Sequence, residues 1–259
     1  MSSPRIHHRV DGERGPWVTF VTGIANDTTL WDGQVPALAR EFRVLRYDLR
    51  GQGGSEATPP PYTLNVLVSD LLGLWQRLQI EKSHVVGLGL GGAIAQALAI
   101  EHGERLASVM PCCCRAQMVP DFAVLWHGLV AKVKADGIES IVEPTVQRWF
   151  SDAFKAANPH VLESVRRMVA GTSEEGYLGC VAAFLGLSLE NSLGKIKVPV
   201  HYVSGAEDRL GGPPALMERL ARQVPGARHS SVPNAAHIAN IQNPGGFNLV
   251  MSEFLKEHS

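Results

Sequence analysis

Val85-Val86-Gly87-Leu88-Gly89-Leu90-Gly91-Gly92-Ala93 passes from a β-branched run through a cluster of glycines into a helical stretch. Two readings of this turn compete. Gly87, Gly89 and Gly92 satisfy G-x-G-x-x-G, the fingerprint in which a pyrophosphate rests on a helix N-terminus. That fingerprint requires a carboxylate about 20 residues on, at the end of the next strand, to hold a ribose. Here the next strand ends in Pro111-Cys112-Cys113-Cys114, which offers none. Nor does the turn belong to the first strand–helix–strand unit. The second reading is a sharp strand-to-helix corner of the G-x-S-x-G kind. Such a corner excludes side chains two positions before and two after its centre, and Gly87 and Gly91 meet that demand. Its central residue is backbone-strained, which glycine tolerates better than serine. The centre here is Gly89.

Working outward, short β-branched runs alternate with helical stretches, the pattern of a doubly wound α/β sheet. Upstream, Trp17-Val18-Thr19-Phe20-Val21 and Phe42-Arg43-Val44-Leu45-Arg46-Tyr47 read as strands, with an amphipathic stretch from Leu30 to Arg40 between them. Leu64 to Leu78 carries helical spacing, and Ser83-His84-Val85-Val86 is the strand that enters the corner. Downstream, a helix is expected over Ala93 to His102 and a strand over Leu106 to Met110. From about Val119 to Gly194 the texture turns helical, broken by Gly128, Gly137, Pro144 and Pro159. The sheet resumes at Val198 to Val203; Pro213 to Gln223 reads as helix, Ala227 to Val232 as a final strand, and Phe247 to Leu255 as a closing helix. The expectation is one α/β domain. Residues 1–117 and 196–259 form a mostly parallel core with helices on both faces, and residues 118–195 a helical lid over one end of the sheet.

Composition narrows the function classes. Hydrophobic residues make up 45% of the 259 and charged residues 19%, which fits a folded globular chain and not a disordered one. The formal net charge of −1, without a run of more than two basic residues, leaves no footprint for nucleic acid or an acidic membrane surface. The start, Met1-Ser2-Ser3-Pro4-Arg5-Ile6-His7-His8, lacks the apolar stretch of a signal peptide, and no apolar run approaches a membrane span. Cys112, Cys113 and Cys114 are consecutive and Cys180 is remote, a spacing that matches no zinc pattern. Reduced thiols, a cytoplasmic location, a small-molecule partner and a monomer or small homo-oligomer are the expectations.

Further landmarks follow in order. Asp48 ends a strand and begins Asp48-Leu49-Arg50-Gly51-Gln52-Gly53-Gly54-Ser55, a D-x-R-G-x-G-x-S turn. Phe20-Val21-Thr22-Gly23-Ile24-Ala25 precedes Leu30-Trp31-Asp32; Tyr202-Val203-Ser204-Gly205-Ala206-Glu207-Asp208 and Pro233-Asn234-Ala235-Ala236-His237-Ile238-Ala239-Asn240 come late, followed by Pro244 and Phe247-Asn248. Arg148-Trp149-Phe150 and Glu175-Gly176-Tyr177-Leu178-Gly179-Cys180 lie in the helical block. On these motifs, spread along essentially the whole chain, the sequence resembles the α/β-hydrolase superfamily, and most closely the 3-oxoadipate enol-lactonases.

The resemblance implies a site. The superfamily order of nucleophile, acid and histidine falls on Gly89, Asp208 and His237. Asp208 would hold the imidazole tautomer and His237 would act as general base. The backbone N–H groups of Leu90 and Ile24 would form an oxyanion hole. Acyl-enzyme chemistry at position 89 is excluded, since glycine has no side-chain atom to attack with. Thr22 and Ser204 lie near strand ends without corner geometry, and the three cysteines read as small buried hydrophobes that a thiolate role would have to override. Arg115, at a strand's carboxyl end, is a candidate for a substrate carboxylate or equally for a salt bridge. Trp126, Trp149 and Phe150 line either the pocket or the lid's core. No metal and no organic cofactor is implied. Three activities stay open: a hydrolase of small reactive esters or lactones that activates water, a histidine–aspartate lyase or cofactor-free oxygenase, and an inactive ligand-binding or nucleophile-disabled protein.

Overall fold

The computed structural model describes residues 4–259; Met1 to Ser3, the first residues of the segment read as lacking a leader, lie outside them. Seven strands are β1 (His8–Asp11), β2 (Trp17–Val21), β3 (Arg43–Tyr47), β4 (Ser83–Leu88), β5 (Leu106–Cys112), β6 (His201–Gly205) and β7 (Arg228–Val232). They form one sheet in the order β1-β3-β2-β4-β5-β6-β7. Every pairing is parallel except that of β1 with β3. Strand β4 is central and buried at every residue, so its apolar run faces helices on both sides.

Helices α1 (Val35–Leu38), α2 (Leu64–Arg77) and α3 (Leu90–Glu101) belong to the first half. Then α4 (Pro120–Asp136), α5 (Val142–Trp149), α6 (Asp152–Ala157), α7 (Pro159–Ala170) and α8 (Glu174–Leu185) all lie between β5 and β6. The chain leaves and re-enters the core at one point. Met118 N–H donates to the Leu187 carbonyl at 2.9 Å and Leu189 N–H to the Ala116 carbonyl at 2.7 Å. Helices α9 (Pro214–Ala221), α10 (Ala239–Gln242) and α11 (Pro244–Glu257) complete the fold.

Three sequence expectations shift. The helix read over Leu30 to Arg40 is a 3-10 turn at Thr28–Trp31 followed by the one-turn α1. Gly33 and Pro36 interrupt it, and Pro36 is tolerated only because it sits in α1's first turn. The strand expected from Val198 begins at His201 instead, because Pro199 has no N–H for the ladder. Strand β1 was not anticipated: His8-Arg9-Val10-Asp11 is a polar, exposed edge with no periodic apolar signal.

Register brings the strand ends together. Gly87 pairs with Val21 and Pro111, Leu88 with Cys112, Cys112 with Val203, and Gly205 with Val232. The loops after β2, β4, β5, β6 and β7 therefore emerge at one edge, where ligands of open α/β sheets bind.

Candidate active site

The corner after β4 is fixed by close packing. A Cβ at Gly87 would overlap the Gly91 carbonyl oxygen, and one at Gly91 would overlap that of Val21. Helix α3 thus starts against the ends of β2 and β4, a fit only glycine permits. Gly89 stands at its N-terminus with φ 59° and ψ −117°, a conformation that strains any L residue. Its N–H donates to the Cys112 carbonyl at 3.0 Å, and its carbonyl accepts the Ala93 N–H at 3.2 Å. A Cβ on Gly89 would point into open space, 3.8 Å from His237 Nε2 and 3.9 Å from Gly23 Cα. Both are ordinary contacts. One further oxygen on that carbon would come within hydrogen-bond reach of the imidazole.

Asp208 follows β6 and is sealed from solvent. Its Oδ1 accepts the Leu210 N–H at 2.9 Å and the Gly211 N–H at 3.1 Å, and its Oδ2 the Gly212 N–H at 2.9 Å. His237 Nδ1 completes the set at 3.1 Å from Oδ2. Burial alone would push this carboxyl up. The His237 ring and the N–H groups of Leu210 and Gly212 outweigh it and hold Asp208 below the usual carboxylate range. An ionised carboxylate only accepts, so Nδ1 carries the proton and a neutral ring offers Nε2 as acceptor. The two partners differ in access: the His237 side chain is 14% exposed and that of Asp208 1%. Gly211 leaves room for the ring, since a Cβ there would overlap it. The Ile238 N–H, donating to the Trp149 carbonyl at 3.3 Å, ties the histidine loop to α5.

A cavity opens above the corner. Gly23, Ile24, Gly89, Leu90, Cys113 and His237 form its floor; Phe122, Trp126, Trp149 and Phe184 form its roof. Among the described residues neither the Ile24 nor the Leu90 N–H has an acceptor. An adjoining cavity shares Ile24, Trp126, Trp149 and His237 and adds Thr145, Arg148 and Tyr177.

Each residue named from sequence has a definite place. Gly89, Leu90, Ile24, His237, Trp126 and Trp149 all border the cavity, and Asp208 lies directly behind the imidazole. Arg115 does not face it. Its Nη2 donates to the Leu210 carbonyl at 2.8 Å, and its guanidinium lies 3.9 Å from the Phe122 ring centroid. Of the alternative hydroxyls, Thr22 is buried and Ser204 is hydrogen-bonded to His229 and Ser231. Sequence reading did not assign Phe122, Phe184, Thr145, Arg148 and Tyr177 to the site, and no spacing rule distinguishes them from lid core.

Cys113 was also placed only generally. With φ 46° it sits beside the Asp208–His237 pair, its Sγ within 4.8 Å of an Asp208 oxygen and a His237 nitrogen. Among the described residues these three side chains are the ones close enough together to meet a metal ion. The donor chemistry opposes it, because both Asp208 oxygens are already filled by N–H groups. Burial and the Asp208 charge also push the Cys113 thiol well above its ordinary value, so it stays protonated. The same rise at Cys112 and Cys114 fits buried thiols, not nucleophiles.

A family model described as the alpha/beta hydrolase fold matches residues 16–244. The chain belongs to the α/β hydrolase family. Among its relatives in that family, 3-oxoadipate enol-lactonase 1 of Acinetobacter baylyi is 29% identical over 244 residues, covering 94% of this chain and 90% of the relative. The crystal structure of the enol-lactonase from Burkholderia xenovorans superposes with a TM-score of 0.93 at 34% identity, covering 98% of this α/β hydrolase and 97% of that chain. A thermophilic esterase from Thermogutta terrifontis, in a malate-bound structure, gives a TM-score of 0.93 at 28% identity over 99% and 95% of the two chains.

Proposed function

We propose that this α/β hydrolase hydrolyses small, reactive esters or lactones by direct attack of water, with no covalent acyl-enzyme. The observation that carries this reading is the open space over Gly89, bordered by His237 Nε2 at 3.8 Å from the missing Cβ. A water molecule there would meet the base that a side-chain hydroxyl would otherwise meet. The family's order of nucleophile, acid and histidine maps onto Gly89, Asp208 and His237. The names of its relatives, lactonases and an esterase, support the substrate class.

In the proposed reaction the substrate carbonyl lies over the corner with its oxygen between the Ile24 and Leu90 N–H groups. As the water oxygen bonds to the carbonyl carbon, one of its protons passes to Nε2. The negative charge moves to the carbonyl oxygen, where preorganised donors are worth about 3–4 kcal/mol. Collapse of the tetrahedral intermediate breaks the carbon–oxygen bond to the leaving group, and His237 returns its proton to that oxygen. Asp208 stays ionised and stabilises the transient imidazolium. Without covalent catalysis the leaving group must be good, so enol and phenol esters or strained lactones suit this site best. The helices of residues 118–195 act as a lid, contributing Trp126 and Trp149 to a dry roof that strengthens these interactions.

Steady-state hydrolysis of p-nitrophenyl acetate tests the reading. Wild type should turn over linearly without a burst, and His237→Ala should lose about 10²–10⁴-fold, the usual worth of a general base. A silent wild type alongside a Gly89→Ser variant that bursts and turns over would overturn it.

A further inference from the structure

Gly211 is under two demands that conflict. A Cβ there would overlap the His237 ring, so the position takes only glycine. Glycine in turn leaves the peptide before it free to turn over, since it meets no steric penalty in either orientation. That peptide, Leu210–Gly211, is the one whose N–H holds Asp208 Oδ1 at 3.1 Å. Turned over, it would aim its carbonyl oxygen at the carboxylate and repel it. The Leu210 and Gly212 N–H groups on Asp208 belong to the neighbouring peptides and do not fix this one.

Arg115 fixes it from outside the loop. Its Nη2 donates to the Leu210 carbonyl at 2.8 Å. The Leu210 carbonyl and the Gly211 N–H are the two ends of one peptide group and point in opposite directions. A cation therefore stands at one end of this peptide and the Asp208 carboxylate at the other. In a poorly solvated setting each bond of such a chain polarises the next and strengthens it. Asp208 has His237 as its one ion-pair partner among the described residues, so Arg115 reaches it only through the peptide. Burial pulls this arginine down from its ordinary range, and of the charges around it, Asp208, Cys114 and Arg219, Asp208 opposes that pull most. The arginine is itself held in place. Its guanidinium lies on the Phe122 ring, its own carbonyl accepts Gln96 Nε2 at 3.1 Å, and the buried Gln96 accepts the Tyr202 hydroxyl at 3.1 Å. Its buried Nε has no acceptor among the described residues. A desolvated guanidinium with an unsatisfied N–H is a poor device for stability alone.

We infer that Arg115 is a positioning residue of this site: it pins the Leu210–Gly211 peptide so that the Gly211 N–H stays on Asp208, which keeps His237 Nδ1 anchored and Nε2 turned to the space over Gly89. It touches neither the ring nor that space. The inference rests on the proposed hydrolase reading only for its effect on turnover.

The anchoring of His237 is readable without substrate, so a failure of hydrolysis and a failure of positioning are distinguishable. Proton NMR of the full chain should show a protected low-field Nδ1 proton that vanishes in His237→Ala. Arg115→Met should speed its exchange with water about 10–100-fold, the range of one charge-assisted hydrogen bond, while the circular dichroism stays that of wild type. Arg115→Lys should keep part of the protection, because an ammonium can still donate to the Leu210 carbonyl. Phe122→Leu removes the ring but leaves the Arg115–Leu210 bond, and should keep all of it. Should Arg115→Met fail to fold, Arg115→Gln, neutral and too short to reach that carbonyl, should give the same faster exchange. With p-nitrophenyl acetate, kcat of Arg115→Met should fall by a similar factor at unchanged KM. A silent wild type would end the hydrolase reading and leave the NMR comparison to decide this one. Unchanged exchange in Arg115→Met or Arg115→Gln, a wild type without a protected Nδ1 proton, a rise in KM at constant kcat, or equal loss of protection in Phe122→Leu would each overturn the inference; the last would mean that the arginine acts through the roof.

Discussion

The two sides of the cavity are built in opposite ways. On one side His237 and Asp208 form a saturated unit in which the carboxylate accepts four hydrogen bonds from three backbone N–H groups and the imidazole. On the other side Gly89 presents backbone alone, yet keeps the positive φ and the tight glycine packing of a corner made to display a side chain. The scaffold at the corner is thus independent of the group it would carry. Its shape comes from contacts of Gly87 and Gly91 with β2 and α3, which do not involve position 89's side chain. The corner's geometry therefore does not depend on a side chain at position 89, and the His237–Asp208 pair stays beside it without one.

Removing the acid tests the saturated side and should have the largest effect. Asp208→Asn leaves the Leu210, Gly211 and Gly212 N–H groups a neutral acceptor and deprives the imidazole of its anchor. Hydrolysis of p-nitrophenyl acetate should fall about 10²–10⁴-fold with little change in KM, since the charge matters in the transition state. Because Asp208 is held below its ordinary carboxylate value, the stability it contributes is present above the unfolded carboxyl's pKa and is lost only as pH falls through its lower folded one. Activity above about pH 5 should therefore show no titration of this group.

Next in size is a histidine at the other end of the corner's own strand. His84, at the start of β4, has no carboxylate; its Nδ1 meets Ser108 Oγ at 2.8 Å in a fully buried setting. Burial, then the nearby His258 and Lys82 charges, pulls it down to about 4. The folded state refuses a proton that the unfolded chain accepts below about pH 6.5, so stability is full above that value and declines as pH falls towards 4. Urea unfolding between pH 7 and 5 should cost wild type about 2 kcal/mol more than a His84→Gln variant. Equal pH dependence would show that His84 is protonated in the fold, and the contrast with His237 would fail.

The smallest effect should come from the bare side. Gly89→Ala adds a carbon that meets only ordinary contacts, so its cost is backbone strain, about 1–3 kcal/mol in denaturant unfolding. A neutral result would mean that the corner relaxes and is not held by its neighbours.

Much of this arrangement was legible in the chain itself. The glycine spacing around Gly89, the Asp48 turn and the loops ending in Asp208 and His237 are local patterns, and each reflects a local constraint: a turn without room for side chains or a strand end that delivers a group. The roof was not legible. Arg148 borders the adjoining cavity only because of how α5 lies against the sheet, whereas Arg115, singled out for its place at a strand's carboxyl end, turns away to Leu210 and Phe122. The one-turn α1 was missed because Leu30 to Arg40 keeps helical spacing across Gly33 and Pro36. The proximity of Cys113 to the acid and base arises from the pairing of β5 with β6, a long-range fact without sequence signal.

The most direct test of the central claim is a rapid-quench single turnover with enzyme in excess over p-nitrophenyl acetate. Direct water attack predicts that acetate and p-nitrophenol appear together and that the intact-protein mass shows no acyl adduct at any time. Acetate lagging behind p-nitrophenol, or a trapped acetyl group on any side chain of this protein, would contradict it.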